Sequence, residues 1–210
     1  MGMRAKFWVF EGMDGTGKST QAQLLFDKLK VEGRNPIYVR EPGTTSLGEA
    51  LRGMLLEADR DDWHQRSEAL LFFAARNELL QQQICPALKE GRDVICDRFT
   101  PSTVAYQAKD SSDFDFIFAV HDLVIAQSAQ PDGVIIFDCK PETSFQRVSD
   151  SGEVDGIEKR GIEFQRRVRD NYKEFSRRFP SITTVIDCEQ RSIEDIHQQV
   201  AKWVERQRDA

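Results

Sequence analysis

The sequence predicts an α/β fold: a five-stranded parallel sheet with helices on both faces and a short lid, forming one domain over residues 1–210. Three observations predict it. Short apolar runs alternate with longer amphipathic stretches, the pattern of parallel strands joined by crossover helices. The first run passes directly into a glycine-rich turn and then a helical pattern. No repeat, low-complexity tract or linker divides the chain.

The runs 6–11, 36–41, 93–98, 133–139 and 182–188 are expected as strands. Helical patterns are expected near 18–33, 45–58, 66–91, 113–129, 141–150, 158–179 and 192–208. The first strand leads into "FEGMDGTGKST", which contains G-x-x-x-x-G-K-[ST] in a strand–loop–helix context. A loop over residues 12–20, comprising Gly12, Met13, Asp14, Gly15, Thr16, Gly17, Lys18, Ser19 and Thr20, is thus expected to hold the phosphates of a nucleoside triphosphate. Its glycines let successive backbone N–H groups turn inward, and the start of the following helix adds partial positive charge. Lys18 can reach the β- and γ-phosphates, and the Ser19 hydroxyl can join a Mg²⁺ shell.

The second strand ends in "VREPGTT" and the third in "CDRF". In an open parallel sheet ligands sit beyond the carboxyl ends of the strands. Asp97 is therefore placed as a second acid for Mg²⁺, through water. Arg40 and Arg98 are placed to grip a second phosphate. Two polar insertions stand out, Lys109–Asp115 and Ser149–Gly161, and the second is expected to act as a lid, at about 149–161.

A phosphorylated acceptor would already be ionised near neutral pH and would need no general base. Positioning and charge neutralisation would then suffice. The histidines, 64, 121 and 197, are scattered on helical patterns without a nucleophile nearby and are read as structural. A net charge of −6 argues against nucleic-acid and membrane-surface partners. The cysteines at 85, 96, 139 and 188 show no C-x-x-C spacing, and no signal-peptide-like or membrane-spanning run is present, so a reduced, cytoplasmic protein is expected.

In "FEGMDGTGKST", "VREPGTT", "FFAARNE", "CDRFTPSTVAYQ", "QPDGVIIFD" and "FQRRVRDNY" the chain resembles the thymidylate kinases over nearly its whole length. The resemblance implies a homodimer that transfers the γ-phosphate of ATP to dTMP with Mg²⁺. It implies that Asp14 faces the acceptor's deoxyribose 3′-hydroxyl and that Arg40 and Arg98 hold the dTMP phosphate. By the same resemblance Phe72 stacks on thymine, Arg76 bonds its carbonyl edge, Thr103 and Gln107 read the base edge, and Tyr106 crowds the sugar's 2′ position. The family places a transition-state arginine either just after the loop carboxylate or in the lid. Here Gly15 follows Asp14, and Ser149, Ser151 and Gly156 stand where arginines are usual. Arg147, Lys159 and Arg160 remain in this segment, so Arg147 or Arg160 is expected to supply the cation. The competing reading is a deoxynucleoside kinase, whose hydroxyl acceptor would need a carboxylate base and would give the paired arginines no anion. A nucleotide-dependent switch is the non-enzymatic alternative, and no N-K-x-D signature supports it.

Overall fold

The computed structural model describes residues 4–56, 63–125, 128–151 and 160–209. Five strands, β1 (Phe7–Gly12), β2 (Ile37–Arg40), β3 (Val94–Asp97), β4 (Gly133–Asp138) and β5 (Thr183–Asp187), form a parallel sheet in the order β2-β3-β1-β4-β5. β1 is central and buried along its whole length, and β3 is buried throughout as well. Their apolar runs do not alternate because helices cover both faces.

The helices are α1 (Lys18–Val31), α2 (Ser46–Leu56), α3 (Gln65–Leu79), α4 (Cys85–Lys89), α5 (Thr100–Gln107), α6 (Ser111–Ile125), α7 (Pro141–Ser151), α8 (Ile162–Arg178) and α9 (Ile193–Asp209). α1 and α9 pack together, α1 against β1 and β3 and α9 against β4 and β5. On the other side α5 lies on β1 and α8 on β5, with α3 and α6 packed against α5. Gly133 sits at the start of β4 because a Cβ there would meet the Trp203 ring of α9 at 2.4 Å. Trp203 in turn meets Trp8 of β1 edge-on, with ring centroids 6.0 Å apart.

Two expectations change. The helix predicted over 66–91 is continuous but passes through a π-helical turn, Leu80–Ile84, between α3 and α4. Pro86 in the first turn of α4 has no N–H to return to the preceding turn, and the wider turn absorbs that loss. The polar stretch Lys109–Asp115 is not an inserted loop but the start of α6. Asp110 Oδ1 accepts from the backbone N–H of Ser112 and Asp113, and Asp113 Oδ2 accepts from that of Lys109. Asp110 thus caps the helix through its side chain, and Asp113 ties down the residue before the cap. α5 carries no helical expectation over its whole length, because Pro101 and its short span hide the period. The expected lid falls largely outside the described residues, and Lys159 and Gly156 lie outside them too.

Candidate active site

The parallel register sets Phe10 level with Asp97, and Asp97 level with Arg40, so the three strand ends open at one edge. Immediately beyond β1 the chain turns back through Gly12, Gly15 and Gly17, all at positive φ. At Gly12 a Cβ would lie 2.6 Å from the Phe137 carbonyl, and at Gly15 one would lie 2.7 Å from that of Ser144. No other residue type would let β4 and α7 approach the loop so closely. Thr16 Oγ1 closes the turn by donating to the Met13 carbonyl at 2.7 Å, and Ser144 Oγ donates to the Asp14 carbonyl. Gly17 caps α1 with no side-chain bond, so the first amides of that helix remain open toward the loop, as an anion site requires.

Two cations, one from the glycine loop and one from the end of β3, meet on one carboxylate oxygen. Asp14 Oδ1 accepts from Lys18 Nζ at 2.7 Å and from Arg98 Nη2 at 2.7 Å. Burial works against its charge, but Arg98 and Lys18 outweigh that and hold the carboxyl below the usual carboxylate range. Arg98 has φ 73°, an uncommon conformation for a side-chain-bearing residue, and its surroundings over-determine it. Nη1 donates to Ser102 Oγ at 3.0 Å and to the Gly12 carbonyl at 3.2 Å, while the guanidinium lies 5.2 Å from the Tyr106 ring centre. Beneath it is a residue the sequence reading did not single out. Fully buried Glu11 accepts from the Phe99 and Ser102 amides, from Ser102 Oγ at 2.6 Å and from Tyr172 OH at 3.0 Å. Burial raises its pKa, opposed chiefly by Arg98.

Asp97 Oδ2 accepts from Ser19 Oγ and from Tyr38 OH at 3.1 Å. Its Oδ1 is buried without a partner. An orphaned carboxylate oxygen beside a loop hydroxyl fits a hydrated divalent cation, which takes oxygen donors and keeps several waters. Among the described residues no group of three or more His, Cys, Asp or Glu side chains is arranged to hold a metal ion. A cation here would therefore complete its shell with water and phosphate.

A second group forms between α3 and α5. Arg76, 1% exposed, donates through Nε to Glu41 Oε2 at 2.8 Å and through Nη2 to Thr103 Oγ1 at 3.0 Å. Its plane lies against the rings of Phe73 and Phe99, and its Nη1 is buried without a partner. Burial raises the Glu41 carboxyl to about 7, opposed by Arg76. Gln107 donates to Glu68 Oε2 at 3.2 Å, and Arg160 donates to Glu68 Oε1 at 2.8 Å. Glu68, Tyr106, Gln107, Arg160 and Phe164 line a cavity together with Trp63.

The remaining expected residues stand apart. Arg40 is half-exposed and paired with Glu49 at 3.0 Å. Phe72 packs in a small cluster with Leu51, Leu55, Ala75, Trp63 and Leu71. Arg147 and Arg160 go to different places. Arg147 lies on the phosphate loop, donating to the Gly15 carbonyl at 3.2 Å and to that of Cys188 at 3.3 Å, whereas Arg160 joins the cavity beside Gln107. Glu68 carried a legible signal: it lies four residues before Phe72 and eight before Arg76, on one helix face. Glu11 carried none beyond being an acid in an apolar run, and Glu41 none beyond standing between Arg40 and Pro42.

Among the described residues no helix is long and apolar enough to cross a membrane. The family model of thymidylate kinases matches residues 10–200. A thymidylate kinase of Nitrosospira multiformis is 42% identical over 202 residues, covering 96% of this chain and 98% of that protein. One from Pelotomaculum thermopropionicum is 41% identical over 210 residues, covering 99% and 96%. The crystal structure of thymidylate kinase from Ehrlichia chaffeensis superposes with a TM-score of 0.76 at 33% identity, covering 96% of this chain and 98% of that one.

Proposed function

Because this chain belongs to the thymidylate kinase family, whose members use ATP to phosphorylate dTMP, we propose that the two cations meeting on Asp14 mark the line along which the phosphoryl group passes. That convergence carries the reading: Lys18, from the ATP loop, and Arg98, from the end of β3, share one carboxylate oxygen. Phosphates entering from the two sides would take over these cations, leaving Asp14 to accept from the acceptor's 3′-hydroxyl. The loop amides of 12–20 and Lys18 hold the ATP phosphates. Arg98, held by Ser102, Gly12 and the Glu11–Tyr172 network, holds the acceptor phosphate, with Arg40 as a second cation released from Glu49. Ser19 and Asp97 hold Mg²⁺, which when bound neutralises charge on the ATP phosphates. No residue need take a proton, since the acceptor oxygen arrives ionised. Arg147, already on the loop, supplies the cation for the transferring group.

On the base side, Phe72 and Tyr106 bracket the thymidine, and Arg76, Thr103 and Gln107 address its edge. The unpartnered Nη1 of Arg76 supports this, because a buried guanidinium N–H without an acceptor costs free energy unless a ligand supplies one. We further propose a homodimer through α3 and α6, where Leu70 and Leu123 are 49% and 86% exposed. A cytoplasmic setting is supported by four free cysteines.

The test is ADP release with ATP and a panel of acceptors. Turnover with dTMP and none with thymidine is expected. Thymidine used as well as dTMP would restore the nucleoside-kinase reading, which the clustered cations do not favour.

A further inference from the structure

We infer that Glu68 is a positioning residue that sets which base the acceptor site takes. The inference rests on the proposed reading of Gln107 as a base-edge residue and adds what orients it. A glutamine amide is nearly symmetric in shape, and a half-turn of its end exchanges donor for acceptor. A carboxylate only accepts. Glu68, 6% exposed on α3, takes the Gln107 Nε2 donor at 3.2 Å on one oxygen, so the Gln107 carbonyl must face the other way. That carbonyl oxygen carries no hydrogen bond among the described residues, and Gln107 lines the cavity beside Tyr106 and Phe164. The other Glu68 oxygen takes Arg160 Nη2 at 2.8 Å, which prevents the carboxylate from swinging away from Gln107.

The bond from Arg76 to Thr103 and the bond from Glu68 to Gln107 are two links between α3 and α5. The first leaves a buried donor without a partner, Arg76 Nη1, and the second leaves an acceptor, Gln107 Oε1, on a residue that lines the cavity. A pyrimidine with a C4 carbonyl beside an N3–H satisfies both. A pyrimidine with a C4 amine beside a bare N3 reverses both, leaving a donor facing a donor and an acceptor facing an acceptor. Glu68 strengthens this discrimination by forbidding the amide flip that would satisfy the bare N3 of the second base, leaving Arg76 to oppose its amine in either case. Arg160 thereby takes part in base choice from the edge of the segment that follows α7, a role distinct from charge neutralisation at the transferring phosphate.

The experiment uses the full-length protein and compares the KM for dTMP with the inhibition constant of dCMP, for Glu68→Gln, Gln107→Leu and Arg160→Gln. A carboxamide at position 68 can donate as well as accept, so Gln107 is freed to flip. Glu68→Gln should narrow the dCMP/dTMP ratio by about tenfold or more with the KM for ATP unchanged. Arg160→Gln should narrow it in the same direction by a smaller factor, and serves where Glu68→Gln fails to fold. If Gln107→Leu changes the ratio while Glu68→Gln and Arg160→Gln leave it as in wild type, the inference falls and the base-edge reading stands. If Gln107→Leu leaves the ratio unchanged, the base-edge reading falls and the inference with it. An equal loss toward ATP and dTMP in Glu68→Gln would show a merely structural role and would overturn the inference too.

Discussion

Arg76→Met should convert a tolerated buried charge into a pH-dependent liability. Arg76 and Glu41 are 1% and 4% exposed, and the guanidinium donates through Nε to Glu41 Oε2 at 2.8 Å while its Nη2 lies 2.7 Å from the same oxygen. Methionine fills the volume but strands the carboxylate, a loss on the order of 3–5 kcal/mol. Protonation limits that loss. In the unfolded chain the carboxyl has its ordinary value of 4.5. Holding it neutral in the folded mutant therefore costs about 1.4 kcal/mol for each pH unit above that value. The cap is about 5 kcal/mol at pH 8 and about 1 kcal/mol at pH 5.5. Because the folded state retains the proton longer than the unfolded state, stability falls as pH rises across this window. The assay is urea denaturation of Arg76→Met and of Arg76→Met/Glu41→Gln at both pH values. The double variant has nothing to ionise there, so it should exceed the single variant by several kcal/mol at pH 8 and by little at pH 5.5. For a chain of this length, several kcal/mol corresponds to roughly 10 °C in Tm. A double variant no more stable than the single one at pH 8 would refute the claim that the stranded Glu41 charge is the source of the loss.

Arg147→Ala should lower turnover by about tenfold or more with little change in the KM for dTMP, the scale expected when a cation at the transferring phosphate is removed. Turnover close to wild type would return the question of that cation to other residues. His121 is lowered to about 4, by burial first and by Arg76 next, and its Nδ1 lies 2.9 Å from Thr100 Oγ1. The unfolded chain binds the proton first, so stability is lost as pH falls from about 6.5 toward 4, by at most about 3 kcal/mol. His121→Gln should flatten that part of the profile, measured by thermal denaturation against wild type. The opposing trend from Glu41 is common to both proteins and drops out of the difference.

Where a residue's position is set by its own neighbours in the chain, it was legible in the sequence. The glycine loop, the strand ends bearing Arg40, Asp97 and Arg98, and the amphipathic helices all follow from spacing, and the structure has them at those positions. The short α5 was illegible as an element because eight residues beginning with Thr-Pro give too few turns to display a period. Lys109–Asp115 looked like an insertion because capping residues and loop residues have the same polar composition. The buried acids Glu11 and Glu41 were silent for another reason. Their partners lie on other elements, as with Glu11 and Tyr172, separated by 161 positions, so only the fold discloses what each carboxyl meets. The same holds for Arg147 and Arg160, which the sequence set close together as alternatives and the structure sends to opposite sides of the site.

The tryptophans divide the molecule's intrinsic fluorescence into two independent channels. Trp8 and Trp203 touch edge-on between β1 and α9, so they share excitation and respond together when the sheet comes apart. Trp63 stands in the wall of the cavity beside Glu68 and Gln107, apart from that pair's packing between β1 and α9. Replacing Trp63 by phenylalanine would leave an emission that reports unfolding alone. Replacing Trp203 by phenylalanine would shift the weight of the signal toward the cavity, where a nucleobase arriving within stacking distance quenches indole. Occupancy and unfolding can thus be followed in one cuvette, without a label.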